Sequence, residues 1–254
     1  MLYKINIVRP YHKPDFFIET TCKELADVLN LIYAPFICEE EPSENSTKMF
    51  FGDNPPSYEE LQMIENAMYD STIIDESHLA IHAATLEYNG RAFLFSGYTE
   101  AGKSTLTSYL CNSGINYFSD DLAIIERNSL CVRPFPRPIQ LREGGFSVLE
   151  KHSIDLSAAK YYKYGGLSRH ILNMPQDLNK SAEIGGIFFI ERSDINDCQP
   201  VTKSEAFTRI LKNLYIYIPS DIPLIKLIKQ ISEKPVFHLK YKDMDFVKQW
   251  IMHS

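Results

Sequence analysis

The sequence predicts an α/β protein, a mixed central sheet with a phosphate-binding loop, preceded by a small α+β subdomain. Three observations carry this. Gly97-Tyr98-Thr99-Glu100-Ala101-Gly102-Lys103-Ser104-Thr105 spells G-x-x-x-x-G-K-S, the P-loop pattern. An apolar strand pattern, Arg91 to Ser96, precedes it, and a helical pattern, Lys103 to Asn112, follows it. Further on, Ile184 to Glu191 is a continuous apolar run, which reads as a buried core strand.

The bulk properties fit this class. With 254 residues, 44% of them hydrophobic, the chain can bury a sizeable core. Its net charge of −7 argues against a nucleic-acid wrapper and against docking on an anionic membrane. The start, Met1 to Asn6, has no apolar signal core, and no run approaches the ~18 apolar residues of a membrane span. The five cysteines are scattered and form no C-x-x-C, so neither disulfides nor zinc are expected. These features point to a reducing cytoplasm.

Residues 1–75 form the expected subdomain. Tyr3 to Val8 and Phe16 to Ile18 read as strands, separated by Pro10 and Pro14. Leu25, Val28, Leu29 and Ile32 recur at helical spacing within Lys23 to Tyr33. Residues 39–46 are acidic and turn-rich and read first as a solvated loop, with a docking patch for a basic partner as the lesser alternative. Ser57, with Glu60 three residues on, opens a second helix.

Residues 76–254 form the expected main domain. Leu79 to Tyr88 reads as one strand, Asn89-Gly90 as a two-residue hairpin turn, and Arg91 to Ser96 as the return strand. That register sets Leu86 opposite Phe93 and delivers His82 opposite Gly97, at the mouth of the loop. The loop itself, Gly97 through Thr105, presents backbone N–H groups and a helix N-terminus to an anion. In such a loop Lys103 reaches the β- and γ-phosphates and Ser104 ligates Mg²⁺. Leu106, Tyr109 and Leu110 share one face of the following helix, and Gly114 stops it.

Next, Ile115 to Ile125 runs as strand, Asp120-Asp121, strand. Adjacent carboxylates at a strand end divide two tasks, one holding a metal and the other accepting a proton. Arg133 to Gly145 is extended, basic and proline-rich; its arginines suit a phosphoryl clamp, with Arg142 favoured because it precedes Gly144-Gly145. Lys160 to His170 mixes basic and aromatic residues and reads as a mobile lid or substrate loop, with Arg169 and His170 as contacts. Helices from Lys203 to about Tyr217 and Ile222 to Ser232, a strand at Pro235 to Tyr241 and a helix from Asp243 close the chain.

Ile81-His82-Ala83, the Asn89-Gly90 hairpin, the P-loop and Ser119-Asp120-Asp121 together resemble the kinase domain of the HPr kinase/phosphorylase family, which shares its core with phosphoenolpyruvate carboxykinase. The resemblance covers residues 79–145 and is weaker beyond. It implies transfer of the γ-phosphoryl group from ATP, with Mg²⁺, to a serine hydroxyl. Asp120 then matches the catalytic acid/base, Asp121 the neighbour near the metal, and His82 a histidine close to the phosphates. Gln140 stands where the family has a metal-binding glutamate, and Glu143 is the candidate substitute. The family's downstream basic loop is not recognisable, so neither phosphorolysis nor the protein HPr as substrate is expected. The chain resembles more closely the short relatives in peptide natural-product pathways, some of which, lasso-peptide tailoring kinases among them, phosphorylate a serine of a precursor peptide. Hexameric members of the family leave a homo-oligomer open.

The expected function is therefore a peptide or protein serine kinase, with no nucleic-acid or membrane partner. Two alternatives stand beside it: a kinase for a small hydroxyl compound such as free serine, and a non-catalytic ATP-binding module. Decarboxylase chemistry of the carboxykinase type needs a His, Lys and Asp metal site that the sequence does not assemble.

Overall fold

The computed structural model describes residues 1–8, 16–44, 46–54, 57–135, 137–164, 167–175, 177–215 and 222–253 except 71–76. The expected boundary near residue 75, the turn residues Pro10 and Pro14, and the expected helix end at Tyr217 lie outside these. Mixed α/β architecture with seven helices is observed among the described residues.

In the first 70 residues, β1 (Tyr3–Ile7) and β2 (Phe16–Thr20) pair antiparallel. The first helix, α1 (Lys23–Ile32), buries Leu25, Val28, Leu29 and Ile32, as their spacing predicts. Two strands are not evident from the sequence: β3 (Ile37–Cys38) and β4 (Thr47–Phe51) complete a four-stranded sheet of order β3-β1-β2-β4. Phe50, in β4, is 68% exposed, so this strand lacks a clean apolar face. In α2 (Tyr58–Asp70), Leu61 and Ile64 are buried, and the Ser57 carbonyl accepts from Leu61 N–H. The Glu60 side chain is outside the described residues.

The remainder runs β5 (His78–His82), β6 (Ala84–Tyr88), β7 (Arg91–Ser96), α3 (Lys103–Asn112), β8 (Asn116–Ser119), β9 (Leu122–Glu126), β10 (Cys131–Arg133), β11 (Ile139–Leu141), α4 (Glu143–Lys151), β12 (Lys160–Tyr164), β13 (Leu167–Leu172), β14 (Ala182–Arg192), β15 (Asp197–Pro200), α5 (Lys203–Lys212), α6 (Ile222–Ser232), β16 (Val236–Tyr241) and α7 (Met244–Met252). Nine of these strands form a mixed sheet. β14 is parallel to both β7 and β16. Residues in β7 and β14 alternate between two cores. Leu94, Ile187 and Phe189 join α5 and α6 on one face; Phe93, Phe95, Phe188 and Ile190 join α3, α4 and α7 on the other. Burial on both faces explains their unbroken apolar runs.

The first subdomain is not packed separately. Its core, with Leu25, Leu29 and Ile64, continues into Leu122, Ile124, Phe135, Tyr162 and Ile171. No helix of the described residues is long and apolar enough to cross a membrane.

The hairpin forms as its turn dictates. Asn89 and Gly90 both take positive φ (51° and 77°), and Tyr88, Leu86 and Ala84 face Arg91, Phe93 and Phe95. The expected single strand from Leu79 to Tyr88, however, is bent. β6 pairs with β7 and β8, whereas β5 leaves β7 and pairs with β9. The bend falls at Ala83, whose N–H donates to the Asp121 carbonyl. His82 therefore pairs with Leu122, not Gly97. A ladder shared with residues 116–126, distant in sequence, overrides the local hairpin register.

Two further expectations are corrected. Lys160 to His170 is no free loop: β12 pairs with β13, and β13 with β11, in a three-stranded sheet, and Tyr162 is buried. Gly144-Gly145 is no hinge but lies in the first turn of α4. A Cβ on Gly145 would come within 2.6 Å of Thr105 Oγ1, so glycine allows α4 to pack against α3.

Candidate functional site

The bend at Ala83 and the tip between β8 and β9 place Asp120 and Asp121 beside the glycine loop. The Ser104 hydroxyl, in the first turn of α3, donates to Asp120 Oδ2 at 2.7 Å. Asp120 is 3% exposed, and its Oδ1 is buried with no hydrogen-bond partner among the described residues. Burial, then the neighbouring Asp121 charge, push the Asp120 carboxyl from the ordinary range up to about 7, against the Ser104 hydrogen bond, the Lys103 charge and the Thr107 hydroxyl. Asp121 is raised too, by burial and by Glu65.

The glycine loop enters α3 through residues of positive φ. Gly102 caps α3 at φ 86°, and no side chain caps the helix, so the first-turn N–H groups face the site without an intrahelical acceptor. Glu100 also takes positive φ (73°), rare for a residue with a Cβ. Lys103 Nζ donates to the Gly97 carbonyl at 2.7 Å. Burial holds its pKa below the ordinary lysine value, with Asp121 and Asp120 pulling the other way. A Cβ at Gly102 would meet Tyr241 Oη at 2.5 Å, and that hydroxyl donates to the Ala101 carbonyl at 2.8 Å. Gly102→Ala is expected to cost about 1–3 kcal/mol, from positive φ and the clash together. A chemical denaturation series checks this; an unchanged midpoint would contradict it.

A cavity of about 760 Å³ joins these groups. Thr99, Glu100, Gly102, Lys103, Ser104 and Thr105 line it, as do His82, Asp120 and Asp121. His82 thus reaches the site although its expected register fails. Ser96 Oγ, at the end of β7, donates to the His82 carbonyl at 2.9 Å. Its exposed ring is held below the ordinary histidine pKa, first by surrounding protein and then by the Lys103 charge.

Two arginines of the 133–145 segment, Arg142 and Arg137, reach the cavity and separate there. Arg142 precedes α4 at the cavity rim, 54% exposed, with Nη1 2.8 Å from Glu100 Oε1. Arg137 is buried; its Nη1 binds Asp121 Oδ2 at 2.9 Å and its Nη2 binds Glu65 Oε1 of α2. Glu143 does not line the cavity. Its carboxylate is 71% exposed and pairs with His170 Nε2 at 3.0 Å, so the expected metal role is not carried forward. His170 is occupied there, stacked on Phe146 with ring centroids 3.8 Å apart. Gln140 and Arg169 line the cavity.

Two residues in this cavity escape the sequence reading. Glu65 sits in an ordinary helical pattern, and only the fold brings it to Arg137. Arg192 ends β14, and parallel pairing with β7 carries it to the loop, its Cδ 3.5 Å from the Cβ position of Gly102. Its guanidinium lies 5.7 Å from the centroid of the Tyr241 ring.

No family model and no curated protein matches the chain.

Proposed function

We propose that the chain is a kinase that transfers the γ-phosphoryl group of ATP, with Mg²⁺, to a serine hydroxyl of a peptide or protein. One observation carries this reading. A buried carboxyl with raised proton affinity, Asp120, is held by the serine of a G-x-x-x-x-G-K-S loop and keeps one oxygen unpartnered. A module that only binds nucleotide needs the loop but has no use for a desolvated carboxylate there.

The roles follow from the groups. The loop N–H groups and Lys103 hold the β- and γ-phosphates. Ser104 and Asp121, which line the cavity side by side with the loop, offer the hard oxygen donors that would hold Mg²⁺. When bound, the ion neutralises phosphate charge. Asp120 accepts the hydroxyl proton, for which its raised pKa is suited. Lys103, neutral His82 and an arginine stabilise the equatorial oxygens as charge spreads in the transition state.

Arg192 is the added phosphate contact, since a guanidinium beside the loop is placed to meet the donor's anionic charge. Arg192→Ala is expected to weaken MgATP binding about tenfold by calorimetry, with Arg192→Lys intermediate. Equal affinity would remove Arg192 from the donor site. The function itself is tested by incubating the protein with MgATP and a pool of serine peptides and measuring peptide masses. Phosphorylated peptide supports the reading; nucleotide binding with no transfer favours the non-catalytic module.

A further inference from the structure

The cavity has two ends, and the kinase reading, on which this inference rests, uses one. Asp120 is tied to the glycine loop through Ser104, and Asp121 is tied through Arg137 to Glu65 on α2. The aspartate pair therefore stands between a phosphate-binding wall and a wall from the first subdomain. That second wall comprises Tyr33, Leu61, Gln62, Ile64, Glu65 and Asn66. In-line transfer places the leaving group and the acceptor on opposite sides of the phosphoryl group. With the donor on the loop, the acceptor hydroxyl enters from the α2 side of the cavity that Asp120 lines.

Charge tells what kind of acceptor fits there. Residues 1–75 hold 5 Lys and Arg against 14 Asp and Glu, net −9, whereas residues 76–254 hold 21 against 19, net +2. The net negative charge of the chain thus comes from the subdomain that forms the acceptor wall. Along α2, Gln62, Glu65 and Asn66 line the cavity, and exposed Glu59 lies one turn before them on the same face. The cations of the cavity stand off this wall, Lys103, Arg142 and Arg192 at the loop end and half-buried Arg169 on β13, and buried Arg137 is already shared between Asp121 and Glu65.

We infer that the acceptor is a cationic, serine-bearing peptide that docks along α2 of the first subdomain. Its basic residues meet the acidic subdomain while its serine reaches Asp120. The transfer balances simply: the serine oxygen bonds to γ-phosphorus, the bond from γ-phosphorus to the bridging oxygen breaks, ADP leaves, and the proton passes to Asp120.

Two fluorescein-labelled serine peptides of equal length, one lysine-rich and one glutamate-rich, test this by fluorescence anisotropy with a non-hydrolysable MgATP analogue present. The lysine-rich peptide is expected to bind at least about tenfold more tightly, with an advantage that shrinks as salt rises. The double variant Glu59→Lys with Gln62→Lys alters two exposed positions outside the catalytic groups. It is expected to weaken the lysine-rich peptide about fivefold or more and leave nucleotide affinity unchanged. Equal binding of the two peptides, preference for the glutamate-rich one, or indifference to the double variant would each overturn the inference. Nucleotide affinity is read in the same samples. If the analogue fails to bind, the kinase reading falls and the inference with it; if it binds while charge preference is absent, only the inference falls.

Discussion

Asp120→Asn is expected to lower phosphoryl transfer by about 10²–10⁴-fold, the range of a lost general base, while MgATP still binds. The amide preserves size and accepts from Ser104, but it takes no proton. Its effect on stability runs the other way. The folded pKa of Asp120 is raised above the unfolded value near ~4, so the carboxyl favours folding fully below that value. The contribution is lost as pH rises through the folded pKa toward neutrality, where a buried charge must be carried. Asparagine carries none, so the variant should be more stable than the parent at pH ~8, by on the order of 2 kcal/mol. The difference should close as pH falls toward ~4. Denaturant titrations at the two pH values check this, and transfer assays check the catalytic half. Retained transfer would remove Asp120 from the base role.

Arg137→Met is expected to be the most destabilising single change at the site. It leaves Asp121 and Glu65 without their shared cation, and it removes the guanidinium 5.9 Å from the Tyr33 ring centroid. Breaking a buried ion pair from one side costs about 3–5 kcal/mol. Here Asp121 and Glu65 keep about a third of their side chains exposed and rehydrate in part, so about 2–4 kcal/mol is expected. That corresponds to a fall in Tm of roughly 5–12 °C. Glu65→Gln should cost less, because Arg137 keeps Asp121. A Glu65→Gln loss equal to that of Arg137→Met would contradict this ordering.

Local chemistry made much of this molecule legible in its sequence. The Asn89-Gly90 turn sets a register through its own backbone, and the face of Leu106, Tyr109 and Leu110 follows from helical spacing. The loop and the aspartate pair were readable for the same reason, since their residues are contiguous. What was not readable depends on partners far along the chain. The bend at Ala83 answers to residues 116–126, so His82 arrives by a route that the hairpin alone does not show. Gly144-Gly145 looks like a breaker until Thr105 is packed against it. Glu65 and Arg192 gain meaning only when α2 and β14 are brought to the loop. Composition also misled: a basic, aromatic segment suited to a lid pairs instead into β12 and β13.

Phosphoryl transfer to serine is the chemistry on which every role proposed for this site depends. Its most direct measurement is phosphoamino-acid analysis after incubation of the protein with MgATP radiolabelled in the γ-phosphoryl group and a pool of serine peptides. Label is expected in phosphoserine with the parent protein and is expected to be lost with Asp120→Asn. Label found only as inorganic phosphate, or bound MgATP with no label on any peptide, would contradict it.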